Sequence, residues 1–160
     1  MSQGLLHQLG FVRQVTLNTV RGLSETVLDH VPDGFNNNIR WNLGHIYVVQ
    51  ERFAFHFAGE SVHLPDGFEM WFAKGTKPGD WQEEHQLPEL GDLLELLAGQ
   101  PIRIAEKLHD RIDEQVAVPF TTGTGLTLHT IGEFLSYTLY HEGIHFNSIS
   151  LLKRFAANES

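Results

Sequence analysis

Two histidines sit inside an apolar stripe near the C-terminal end of this chain, and that placement limits the folds open to it. From Leu128 the stripe runs through Ile131, Leu135 and Thr138, and it resumes at Ile149 and Leu152, in steps of three and four. Such a row is one face of a long amphipathic helix turned toward a core. His141 and His145 fall in its middle. Spaced i, i+4, they stand one turn apart on the same side of the helix. Imidazoles that face a core need partners, because a buried polar group without one is costly. Hydrogen bonds to neighbouring groups would satisfy them, and so would one shared metal ion.

A third histidine lies in a comparable setting. The stretch Asn38–Val49 opens a second long helix, with Trp41, His45, Val48, Val49 and Arg52 along one side. Alone, His45 reads as a hydrogen-bonded core residue. Joined with the pair, it completes three neutral imidazoles from two helices, the donor set of a divalent-metal site that keeps one position open. His56 shares the face of His45 but lies about 16 Å further along the axis, too far for the same ion. The expected metal ligands are therefore His45, His141 and His145.

Composition narrows the chemistry. The 160 residues contain no cysteine, which excludes disulfides, thiolate ligands and a cysteine nucleophile. A formal charge of −9 argues against nucleic acid as a partner, since phosphate contact needs a basic surface. No apolar run approaches the roughly 18 residues of a membrane span. The segment Met1–Gln8 lacks the basic start and apolar stretch of a signal peptide, so a cytoplasmic protein is expected. The length suits one domain over residues 1–160.

The periodicity predicts four helices. The first covers residues 3–30 and ends before Pro32-Asp33-Gly34. The second runs from about Asn38, with one of Asn36, Asn37 and Asn38 as its cap, to Gly59. The third begins at Pro88-Glu89-Leu90 and continues toward Ile112, with Pro101 expected to kink or restart it. A turn-rich connector, 115–126, leads to the fourth helix. Thr127 or Thr130 caps it, Glu133 stands in capping-box spacing to Thr130, and it ends near Phe155. Residues 60–88 are irregular yet rich in aromatics, so they pack across the bundle rather than link it loosely. Trp81 reads as core closure. Trp41, Trp71 and Phe72 are the candidates for binding a substrate. The expected fold is all-α, a four-helix bundle with a long crossover between helices 2 and 3.

His141-Glu142-Gly143-Ile144-His145 also fits the literal HExxH pattern of zinc proteases, in which the glutamate is the general base. The extended metzincin form fails, because positions 148 and 151 are Ser and Leu. The only glutamate after His145 is Glu159. Glu142 remains the candidate catalytic group, as a base on water at the ion. The plainer reading makes it a carboxylate in solvent or one that supports the ligands from outside.

Trp41-Asn42-Leu43-Gly44-His45-Ile46 and Tyr140-His141-Glu142-Gly143-Ile144-His145-Phe146 resemble the DinB-like, or YfiT-like, metal-binding four-helix bundles. The resemblance covers nearly the whole chain. Where many relatives continue with Gly-Gln-Ile, this chain has Asn147-Ser148-Ile149. In that family one histidine of the second helix and an HxxxH pair of the fourth bind a divalent metal, roles that fall on His45, His141 and His145. The resemblance implies a cytoplasmic bacterial protein, frequently a homodimer, holding zinc or nickel. Characterised branches include thiol-dependent S-transferases and isomerases. The expectation is a metal-dependent enzyme acting on a small molecule, first of all an S-transferase using a low-molecular-weight thiol. A metal-dependent hydrolase and a non-enzymatic metal-binding or dimerisation module are the alternatives.

Overall fold

The computed structural model describes residues 2–82 and 86–158, so Glu159 lies outside it. Helix α1 spans Ser2–Val20 and stops ten residues short of the predicted end. Gly22 adopts a left-handed φ of +79°, a conformation that ends a helix and that only glycine enters without steric cost. Ser24 then caps a separate short helix α2, Glu25–Asp29, by accepting from the Val27 amide. Apolar spacing persisted across the break, which hid it from a periodicity reading.

Helix α3, Ile39–Glu51, is capped by Asn38, whose Oδ1 accepts the Trp41 amide at 2.8 Å. It runs on into one π-helical turn, Arg52–His56. Within the crossover that follows lies a short helix α4, Phe68–Phe72. Helix α5 spans Leu90–Leu108. The predicted connector is instead mostly an antiparallel hairpin, β1 Gln115–Thr121 with β2 Thr127–Thr130, in which Phe120 pairs with Leu128. The strands are short, and Pro119 interrupts the first of them. Helix α6, Ile131–Asn158, begins with the predicted box: Thr130 Oγ1 accepts from the Glu133 amide and Glu133 accepts from the Thr130 amide, each at 3.2 Å.

The four long helices close a ring. α1 packs on α5 and α6, and α3 packs on the same two. Their directions follow from two apolar clusters. One gathers Leu17, Leu43, Leu93 and Ile149, and the other gathers Leu9, Phe55, Ile104 and Leu135. α1 and α6 therefore run one way, and α3 and α5 the other. Two successive parallel helices cannot be joined by a short turn, which is why a long crossover separates α3 from α5. Among the described residues no helix is long and apolar enough to cross a membrane.

A buried polar layer divides the two clusters. Arg13 of α1, 2% exposed, bonds Glu142 of α6 at 2.9 and 3.1 Å and Gln50 of α3 at 2.6 Å. It also donates to Gln100 at 3.2 Å and to the Leu97 carbonyl at 2.7 Å, both on α5. The last bond explains why Pro101 does not break α5, which passes through it. Proline offers no N–H to the carbonyl four residues back, here Leu97. Arg13 supplies the missing donor. Gln50 extends the layer to Thr138 at 3.2 Å, and Glu51 extends it to Gln100 at 2.8 Å and Arg103 at 2.7 Å. With its charge and hydrogen bonds matched, the layer is tolerable inside a core.

Candidate metal centre

α3 and α6 are neighbours, and their contact brings the three histidines together. Ring centroids lie 5.1 Å apart for His45–His141, 4.8 Å for His45–His145 and 4.5 Å for His141–His145. One nitrogen from each ring falls within 4.8 Å of the other two. Among the described residues no carboxylate joins this group.

Hydrogen bonds decide which nitrogen two of the rings present. His45 Nδ1 bonds the Phe72 carbonyl at 2.6 Å, so this nitrogen carries the proton and Nε2 is left as the acceptor. His145 Nδ1 bonds Asn42 Oδ1 at 2.8 Å with the same result. The Asn42 amide is itself oriented, because its Nδ2 donates to the Asn38 carbonyl at 2.7 Å. The α3 cap thus lies one bond beyond the residue that aims His145. Trp41 stacks on His45, with centroids 4.5 Å apart and planes 13° from parallel.

Close packing brings the Phe72 carbonyl to His45. The α3 backbone at Gly44 lies directly on the Phe72 ring, where a Cβ would stand 2.3 Å from a ring carbon. Only glycine lets α4 approach so closely. Burial also disfavours the imidazolium forms. It lowers the pKa of His141 to about 3 and of His145 to about 4, with the neighbouring imidazoles adding to the effect. His45 is lowered too, by burial above all, with the Phe72 carbonyl opposing the shift and Lys74 adding to it. All three are neutral near pH 7, the state that binds metal. Donor type, spacing, tautomer and charge fit a divalent ion held by His45, His141 and His145.

A cavity of about 280 Å³ reaches His45 and His141, with Phe53, Phe57, Phe120 and Tyr137 in its walls. None of Trp41, Trp71 and Phe72, the residues expected to bind substrate, lines it. Trp41 backs His45 and donates its indole N–H to Thr76 at 2.9 Å. Phe72 is fully buried, and Trp71 packs on it and on Phe68 within the core. α4 lies across α3 and turns these rings inward, so they support the histidines from behind. Glu142 is also elsewhere. One residue on from His141 it points toward α1, and both its oxygens are taken by Arg13.

The wall of the cavity is built from other aromatic rings. Phe53, on the π-helical turn after α3, and Phe57, just past its end, meet Phe120 of the hairpin at 5.4 Å each. Their spacing was visible in the chain. Tyr137 lies on the expected fourth helix, whereas Phe120 reaches the wall only through the hairpin.

No curated protein matches the chain. The family model of the DinB superfamily matches residues 8–149, a span that contains all three histidines, the whole of α3 and α5 and the greater part of α1 and α6. On that match, and on a four-helix bundle carrying a three-histidine group able to hold a metal ion, the chain belongs to the DinB superfamily.

Proposed function

We propose that this protein is a cytoplasmic, divalent-metal-dependent S-transferase that joins a low-molecular-weight thiol to a small electrophile. One contrast carries the reading. Three neutral imidazoles stand together, two of them, His45 and His141, in the wall of a mainly apolar cavity, while Glu142, the carboxylate next to them in sequence, is bound to Arg13. Zinc or nickel suits an all-imidazole donor set. Such an ion, when bound, supplies a Lewis acid that favours ionisation of a nearby acidic group.

Which nucleophile suits the site follows from what the chain offers. A thiol, with a pKa of about 8.5, needs little help to ionise. Water, with a pKa of about 15.7, starts much further from ionisation, and among the described residues no carboxylate joins the histidines to take its proton. The chain has no cysteine to compete with an incoming thiol. His45, His141 and His145 hold the centre, the Phe72 carbonyl and Asn42 keep two of them aimed, and the aromatic walls exclude water from the reacting pair. In the reaction the thiol sulfur bonds to an electrophilic carbon, the leaving group departs with the electrons of the broken bond, and the thiol proton passes to solvent.

Assaying metal-loaded protein with glutathione, bacillithiol and mycothiol against an alkyl halide or epoxide tests the proposal. Metal-dependent formation of a thioether is the expected result. No acceleration with any thiol, together with metal-dependent hydrolysis of an ester or amide, overturns it. The same reading makes the protein a homodimer, in keeping with the exposed row Tyr140, Ile144, Leu151 and Phe155 along α6. Sedimentation equilibrium measures the mass.

A further inference from the structure

The cavity beside the histidines has a second chemical character at its mouth. Arg52 and Lys74 both line it and are both exposed, which places them at its solvent edge. Among the described residues neither has a carboxylate partner, whereas Arg13, Arg40, Arg103 and Arg111 are all ion-paired. The two cations come from different parts of the chain, Arg52 from the π-helical turn after α3 and Lys74 from the segment after α4. They converge on one opening in a protein whose formal charge is −9. An anionic ligand would be repelled by most of this surface and attracted here.

The interior offers the opposite chemistry. Phe53 stacks on Tyr137 at 5.6 Å and 28°, and Phe57 meets Phe53 edge-on at 5.7 Å. These rings present flat apolar surface to whatever fills the space. A volume of about 280 Å³ is at the small end for ligand sites, which commonly hold roughly 300–1,000 Å³.

We infer that the cavity binds a small molecule with an apolar, preferably aromatic, body and one carboxylate, the body against the phenylalanine and tyrosine rings and the carboxylate against Arg52 and Lys74. The substrate class proposed for the metal centre is thereby narrowed to acidic, apolar molecules. That extension rests on the proposed function, but the binding site itself does not.

Calorimetric titration with 3-phenylpropanoate and with its neutral isostere 3-phenylpropanamide tests the inference, on chelator-treated and on zinc-loaded protein. The acid is expected to bind roughly tenfold tighter than the amide, as two partly solvated cations would provide. The double variant Arg52→Gln/Lys74→Gln should bring the two ligands within about twofold while binding zinc as the wild type does. The preference should survive in His141→Ala, whose zinc site is lost. Equal affinity for acid and amide in the wild type overturns the inference, and so does a preference that persists in the double variant. Loss of the zinc site with the preference intact in chelator-treated protein would count against the metal reading alone. Both substituted residues are exposed, so the double variant should keep the wild-type melting curve, and amide binding checks that its cavity is intact.

Discussion

Arg13 and Glu142, 129 positions apart, form a bidentate ion pair inside the bundle at 2.9 and 3.1 Å. The pair gives a partner to the glutamate that the sequence offers as a candidate catalytic base. It also separates the functions proposed for the centre. Glu142→Gln removes the charge that balances a buried guanidinium, so it should destabilise the fold by about 3 kcal/mol. Zinc stoichiometry and thiol-transfer rate per folded molecule should change by less than about threefold. Urea unfolding and steady-state assays below the melting transition measure the two effects. A hydrolase using Glu142 as base would instead lose roughly two orders of magnitude in rate.

One divalent ion per chain is expected for wild-type protein purified without a histidine tag, read by elemental analysis. His145→Ala should abolish stoichiometric binding, and so should His141→Ala/His145→Ala. Wild-type affinity in the double variant would remove His141 and His145 from the site. An ion that binds only the folded chain at about a hundred times its Kd adds about 2.7 kcal/mol, so chelation should lower Tm. Circular dichroism of the chelated protein should remain helical, because the apolar clusters on either side of the polar layer do not depend on the ion.

The histidines make the stability of the metal-free protein pH-dependent. An unfolded histidine titrates near 6.5. In the fold, His141 and His145 are held down to about 3 and about 4. Between those values the unfolded chain takes up protons that the folded chain refuses. The stabilising effect of the neutral rings is therefore full above pH 6.5 and is lost as pH falls toward 4 and 3. Chelated wild type should lose more Tm between pH 7 and pH 5 than chelated His141→Gln/His145→Gln. Equal losses would show that these rings are not held neutral.

The supports of the ligands should matter almost as much as the ligands. Asn42→Ala removes the acceptor that orients His145 and should weaken zinc affinity about 10- to 100-fold, measured by competition with a chelating dye. Gly44→Ala puts a methyl group 2.3 Å from the Phe72 ring. It should cost about 1–3 kcal/mol of stability and weaken zinc binding as well, because displacing Phe72 moves the carbonyl that holds His45. Gly143→Ala is the control. Its Cβ would meet nothing within 4 Å, and zinc affinity should be unchanged.

Local patterns in the chain were enough to locate the four long helices and the metal-ligand candidates. Steps of three and four mark apolar faces, Asn38 and Thr130 mark helix starts, and a histidine among apolar neighbours advertises its orientation. These signals span a few residues, so they can be read in order. What the local pattern missed were interruptions and long-range partners. Gly22 breaks the first helix without disturbing its apolar rhythm, and Pro101 fails to break α5 because Arg13 reaches Leu97 from another helix. The partner of Glu142 lies 129 positions away, and the carbonyl that fixes the tautomer of His45 lies 27 positions away. Periodicity tells which way a side chain points from its own helix. Only the packing of α1, α3, α5 and α6 against one another decides what it meets there, and on that meeting the charge of the core, the aim of the histidines and the walls of the cavity depend.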